Sequence, residues 1–159
     1  TESVASSYAF GVALKESQEM REEESARLRV LRDETVERLK EAIPDIIFYG
    51  AFDEWHDELK AMSKKLKAEL RLPNNINCRV PGISSEEMIL RLDAKGFAVS
   101  HKSACASMET DGSYVLQALG VTEVEAKENI RISMGRNTTM GDMEKLVDVM
   151  KEISKKYRQ

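Results

Sequence analysis

The stretch Ile76-Asn-Cys-Arg-Val-Pro-Gly-Ile-Ser-Ser-Glu-Glu87 decides how this chain folds. Ile76, Cys78 and Val80 alternate with Asn77 and Arg79, the two-residue period of a strand that buries one face. Pro81-Gly82 stops it, because proline brings no N–H to a ladder and glycine admits the turn. Ser84 and Glu87 stand at capping-box spacing, which predicts a helix running through Leu92 with Gly96 as its natural C-terminal cap. A one-faced strand that leads within a few residues into a helix calls for a sheet with helices laid on it.

Reading downstream, Phe97-Ala-Val-Ser100 is expected to be a short strand, followed by a loop of small residues. A short helix is expected from Ser113 to Leu119, closed by Gly120, and Thr122 with Glu125 repeats the capping-box spacing. Ile130, Ile132 and Met134 alternate as a strand. Thr138-Thr139 caps a final helix in which Met143, Leu146, Val147, Met150, Ile153 and Tyr157 follow the helical period. Upstream, Leu72-Pro-Asn-Asn75 is turn chemistry and Asp53 to Leu70 is a helical candidate. Ile46-Ile-Phe-Tyr49 reads as a strand. The first third reads as one long helix, with Leu28, Leu31, Thr35, Leu39 and Ala42 on one face and Pro44 ending it. The expected fold is α+β: a small sheet of about four short strands, covered by helices on one face, with a long N-terminal helix. No GxGxxG or phosphate-loop motif accompanies this alternation.

Composition narrows the function. The chain has 159 residues, with 24 Lys+Arg against 28 Asp+Glu and a net charge of −4, so it offers no net basic balance for nucleic acid. No apolar run is long enough to span a bilayer. The length suits one domain with its own core. Two cysteines make no disulfide framework, which points to the reducing cytosol. The chain opens at Thr1 rather than at a methionine and is expected to be a piece of a longer protein.

Two residues stand out as chemistry. Cys105 lies in Ser100-His-Lys-Ser-Ala-Cys-Ala-Ser107, among small neighbours and close in sequence to His101 and Lys102. Nearby positive charge favours the thiolate, the nucleophilic form, although a lone cysteine also serves as a small buried hydrophobe. Cys78, inside a strand, reads as that second case. Arg131 falls between Ile130 and Ile132 and so points away from the apolar face of its strand. It is either a solvated edge arginine or a fork that receives a carboxylate bidentately. His56 and His101 share no metal-ligand spacing with each other or with the cysteines, so no metal site is expected. The charged stretch around Glu22-Glu-Glu24 and Arg27 reads as a solvated helix face, as do Lys60, Lys64, Lys65 and Lys67.

Six motifs occur in one order: Leu72-Pro-Asn-Asn-Ile-Asn77, Pro81-Gly-Ile-Ser-Ser-Glu86, Gly96-Phe-Ala-Val-Ser100, Ser103-Ala-Cys-Ala-Ser107, Ser113-Tyr-Val-Leu-Gln-Ala-Leu-Gly120 and Ile130-Arg-Ile-Ser-Met-Gly-Arg-Asn-Thr-Thr139. The series resembles the C-terminal part of the cysteine desulfurases of the NifS/IscS kind, class V-type enzymes that use pyridoxal phosphate (PLP). Thr1-Glu-Ser-Val4 resembles the end of the family's Arg-Ser-Gly-Thr loop.

The resemblance implies roles. Cys105 matches the cysteine that takes the substrate's sulfur as a persulfide, Arg131 the arginine that holds the substrate α-carboxylate, and Thr1 a threonine that contacts the PLP phosphate across a dimer interface. It implies L-cysteine as substrate, alanine as product, and an iron–sulfur scaffold or other sulfur acceptor as partner. It also implies a homodimeric, cytoplasmic parent with no role for nucleic acid or membrane. Residues 1–43 are expected to link to a cofactor domain outside the chain, and 44–159 to form the small domain, with the persulfide-cysteine loop at 100–113. Because the Schiff-base lysine belongs to the absent domain, this piece is expected to bind no PLP stably and to be inactive alone. Ser100-His101-Lys102 resembles the family's Ser-x-His-Lys cofactor motif only superficially, and Lys102 is read as a coincidence. Departures are His101-Lys102 in place of a usual Ser-Gly or Thr-Gly, Ser3 in place of asparagine, and Gly112 in place of proline. The same fold also admits a selenocysteine lyase or a class V aminotransferase, and His101-Lys102 admits a non-catalytic scaffold.

Overall fold

A computed structural model describes residues 2–50, 71–101 and 113–157. Helix α1 (Val4–Ala42) opens the chain, with Ser3 accepting a hydrogen bond from the Ser6 N–H at its start. It ends where expected: the Ile43 N–H closes the last turn on the Leu39 carbonyl, and Pro44 follows. Strands β1 (Ile47–Phe48), β2 (Asn75–Arg79) and β3 (Asn129–Ser133) form one antiparallel sheet in that order. Around them run α2 (Ser85–Asp93), α3 (Tyr114–Ala118), α4 (Glu123–Ala126) and α5 (Met140–Tyr157). The α+β class read from the sequence is the one observed.

The strand alternation builds the core. Ile76 and Cys78 of β2, with Ile130 and Ile132 of β3, face α1, α2 and α5 and are fully buried among Leu39, Leu92 and Met150. Phe48 joins them, whereas its neighbours Ile47 and Tyr49 point the other way and pack with Leu116, Val121 and Ala126 in a second, smaller cluster. The helices thus cover one face of the sheet, and α3 and α4 cover only the β1 end of the other.

The capping signals hold locally. Ser84 accepts from the Glu87 N–H at the start of α2, and Thr122 and Glu125 make a full capping box on α4. Thr139 and Asp142 do the same for α5, the Asp142 carboxylate accepting from the Thr139 N–H at 2.9 Å. Gly96 has φ +87°, a left-handed value that side chains resist, and its N–H closes α2 on the Asp93 carbonyl.

Two readings need adjustment. The expected strand over Phe97–Ser100 contributes one residue, Ser100, which bridges Arg131; before it the chain leaves β3 to line a cleft with the Gly135–Thr138 turn. The charged face of α1 is not wholly solvated. Arg27 pairs with Glu24 and donates to the carbonyls of Gly135, Arg136 and Thr138 at 3.1, 3.0 and 2.9 Å, pinning the turn that follows β3. Arg32 is buried, and ties Leu72 to α1 through its carbonyl at 3.0 Å. The helical candidate at 53–70 lies outside the described residues.

Side-chain burial on α2 predicts a contrast. Leu92→Ala, at a fully buried position, is expected to lower the unfolding free energy by about 2–5 kcal/mol, because the cavity it leaves cannot collapse completely. Leu90→Ala, at a position 62% exposed on the same helix, is expected to change it by less than about 0.5 kcal/mol. Urea denaturation of the two variants measures the difference.

Candidate functional site

The residues that alternate with the core residues form the opposite face of the β2–β3 pair. The register sets Asn77 opposite Arg131, Arg79 opposite Asn129, and Asn75 opposite Ser133. This face is polar throughout, and it carries two guanidinium groups in contrasting states.

Arg79 is already committed. Its guanidinium donates to Glu128 at 2.7 Å and to Glu125 at 2.5 Å, which fastens α4 to the sheet. Burial works against its charge, but hydrogen bonds to Glu128, Tyr49 and Glu125 outweigh that and move its pKa up. Glu128 also accepts from the Gly82 N–H at 3.0 Å, so the turn after β2 is held by the same carboxylate. Burial in turn raises the pKa of the Tyr49 hydroxyl.

Arg131 is half-buried, and its guanidinium makes no hydrogen bond or ion pair with any described residue. Its backbone is fixed instead. Its carbonyl accepts from the Ser100 N–H at 3.1 Å, and its N–H donates to the Ser100 carbonyl at 2.5 Å. A fork on a rigid strand with no protein anion to neutralise it is suited to accept a carboxylate from outside. Of the two arginines on this face, Arg79 is paired with carboxylates and Arg131 has no partner among the described residues.

Asn129 sits two positions before Arg131 on β3 and is 1% exposed. Its Nδ2 donates to the His101 carbonyl at 3.4 Å, while its Oδ1, like that of Asn77, is buried with no hydrogen-bond partner among the described residues. Ser100 and His101 are thus both joined to β3, and Cys105 follows His101 by four residues.

The other predicted site residues, Cys105 and Thr1, and with them Lys102, lie outside the described residues. Cys78 is the buried strand cysteine that its alternation predicts: burial pushes its thiol up to about 12. No cluster of metal-ligating side chains occurs among the described residues. Likewise no described helix is long and apolar enough to cross a membrane. Sequence reasoning missed the contacts of Asn129, Arg27 and Arg32 with carbonyls 28 or more residues away, which leave no local signal.

The described residues do not fit PLP by themselves. A Schiff-base lysine must be withdrawn from water beside the acceptor site, yet the described lysines are exposed or, for Lys40, half-buried on α1, away from the Arg131 face.

Comparison with known proteins gives the following. No family model matches the chain. Over its whole length it is similar to the cysteine desulfurase IscS of Clostridium botulinum, with 32% identity over 159 residues, spanning 36% of that protein. It is 32% identical over 158 residues to the IscS of Dictyoglomus turgidum, again spanning 36%, and 31% identical over 150 residues to an IscS-like cysteine desulfurase of Mycobacterium tuberculosis, spanning 34%. The matched part is the C-terminal one. Among solved structures, a NifS-like protein from Rickettsia africae superposes with a TM-score of 0.60 over 82% of this chain and 29% of its own, at 24% identity. A second NifS-like protein superposes with 0.65 over 89% of this chain and 31% of its own, at 21% identity. These two establish likeness of fold. The chain spans about a third of the length of the relatives it matches.

The burial of Cys78 makes a direct prediction. A Cys105→Ser variant is expected to show no thiol reacting with a disulfide reagent at pH 8 while folded, since only on the order of one in ten thousand Cys78 side chains would be thiolate at a pKa of about 12. After unfolding in guanidinium, one thiol per chain is expected to react. Rapid reaction of the folded variant would contradict the buried placement.

Proposed function

We propose that this chain is the C-terminal region of a PLP-dependent cysteine desulfurase, and that its part in the reaction is to hold the substrate carboxylate and carry away the sulfur. The observation that carries the reading is the pairing of Ser100 with Arg131: the strand whose Arg131 guanidinium has no partner among the described residues is the strand to which Ser100, five residues before Cys105, is paired. The IscS relatives, aligned over the whole chain, support it.

In this reading Arg131 grips the α-carboxylate of L-cysteine through two parallel N–H···O bonds and so sets the orientation of the substrate. The Cys105 thiolate attacks the substrate sulfur. A sulfur–sulfur bond forms as the carbon–sulfur bond breaks, its electron pair stays on the carbon, and a proton added there completes alanine. PLP, held by the portion that precedes this region in the relatives, supplies the electron sink that makes such a cleavage accessible. Thr1 touches its phosphate across a homodimer interface. The persulfide on Cys105 then passes to an iron–sulfur scaffold or another sulfur acceptor in the cytoplasm.

Residues 1–43 link the two domains, and 44–159 form the small domain. The outer half of α1 supports this division. Residues 2–23 are exposed along their whole length, including Val4, Tyr8, Phe10 and Leu14, an apolar surface suited to the missing domain. The chain alone is accordingly inactive.

The test uses the full-length protein. Purified with PLP, it is expected to show cofactor absorbance and to release sulfide from L-cysteine in the presence of a thiol reductant. Cys105→Ser is expected to abolish release with the absorbance retained. Arg131→Ala is expected to raise KM for L-cysteine by about 10- to 100-fold, the loss of a charge-assisted pair. Undiminished turnover without Cys105 would sink the persulfide mechanism and favour a lyase or aminotransferase on the same fold.

A further inference from the structure

We propose that Arg27 is a positioning residue of this reaction, one that sets the angle at which α1 leaves the small domain and with it the place of Arg131 relative to the cofactor portion. The inference rests on the desulfurase reading, in which residues 1–43 link two domains, and names a residue which that reading does not require.

Arg27 stands at the boundary between the two halves of α1. Residues 2–23 are exposed, Glu24 is the first that is not, and Leu28 is the first that is buried. All three guanidinium nitrogens are engaged there. Nε and Nη2 donate to the two Glu24 carboxylate oxygens at 3.2 and 3.1 Å. Nη1 donates to the Thr138 carbonyl at 2.9 Å, and Nη2 also reaches the Gly135 and Arg136 carbonyls at 3.1 and 3.0 Å. An i,i+3 pair with Glu24 would suffice for a solvated helix charge. The three carbonyls, 108 to 111 residues away, tie the helix to the turn after β3. That turn has no slack toward the strand. The Met134 N–H donates to the Asn74 carbonyl at 2.9 Å, so pairing with the β2 side continues to the residue before Gly135. Within the turn the Gly135 N–H donates to Thr138 Oγ1 at 2.9 Å. Arg131 lies on the same strand, four residues before Gly135.

The consequence is one of leverage. From Arg27 back to Val4 the helix extends about 35 Å at roughly 1.5 Å per residue, so a tilt of about 3° at the clamp moves its far end by roughly 2 Å. Leu28, Leu31 and Leu39 hold α1 on α5 and the sheet, but apolar contact is non-directional. Hydrogen bonds to three carbonyls fix a direction. A substrate gripped at its carboxylate by Arg131 must also meet the cofactor portion, and small misplacements between such groups are costly. A loosened exit angle therefore weakens the hold that Arg131 has on the substrate.

Arg27→Met removes the donors and keeps much of the length; Arg27→Lys keeps the charge and loses the fork. In the full-length protein Arg27→Met is expected to lower kcat/KM for sulfide release from L-cysteine by about five- to tenfold, chiefly through KM, with PLP absorbance unchanged. Arg27→Lys is expected to fall between it and wild type. Added to Arg131→Ala, Arg27→Met is expected to cost nothing further, since it acts through that guanidinium. Arg38→Ala is the control. It breaks another tie from α1 to α5, the 3.0 Å ion pair with Glu144 in the packed half of the helix, and is expected to leave kcat and KM within about twofold of wild type. A structural role alone would lower the melting temperature of Arg27→Met and leave KM unmoved. If wild type is active and Arg27→Met keeps its KM, or its loss multiplies with that of Arg131→Ala, or Arg38→Ala matches it, the inference falls while the desulfurase reading stands. If wild type releases no sulfide, it is the reading that fails.

Discussion

The antiparallel pairing of β2 with β3 is the constraint on which the rest of the molecule depends. Side chains alternate along each strand, so one register decision sorts ten residues onto two faces. On one side Ile76, Cys78, Ile130 and Ile132 become the floor of the core; on the other Asn77, Arg79, Asn129 and Arg131 become a polar surface. A slip of one residue would place arginines under the helices and isoleucines in water. The driving force that buries the apolar set, about 25 cal/mol for each Å² withdrawn from water, therefore also delivers the functional face to its place.

Four arginines show how context divides the work of one side chain. Arg27 on α1 spends its donors on the carbonyls of the turn after β3, and Arg32 holds the Leu72 carbonyl from within the core. Arg79 is spent on Glu125 and Glu128, which lock α4 to the sheet. Arg131 alone of these four has a guanidinium with no partner among the described residues. The first three tie the turn after β3, the Leu72 segment and the residues around α4 to the rest of the fold.

Burial along α1 is uneven. The inner half of α1 packs on α5 and the sheet, with Leu28, Leu31, Val36 and Leu39 buried, whereas its outer half has no described neighbour for its apolar residues. Chains similar to this one are nearly three times as long.

Much of this was legible in the sequence, and the reason is locality. Strand alternation at Ile76–Val80 and Ile130–Met134, the three capping signals at Ser84, Thr122 and Thr139, the glycine stop at Gly96 and the proline stop at Pro44 each depend on residues a few positions apart. The outward direction of Arg131 follows from the same alternation. What only the tertiary structure decided depends on distant partners. Phe97–Ser100 shortened from a strand to one bridge, since residues 97–99 leave β3 to line the cleft with the turn that Arg27 pins. Sequence does not tell which guanidinium is neutralised: Glu125 of α4 and Glu128 just after it, the latter only three residues before Arg131, both turn to Arg79 across the sheet. Asn129, unremarkable in its own stretch, meets the His101 carbonyl only because folding set the two together. Local periodicity specifies which way a side chain faces; the folded chain alone specifies what it meets there.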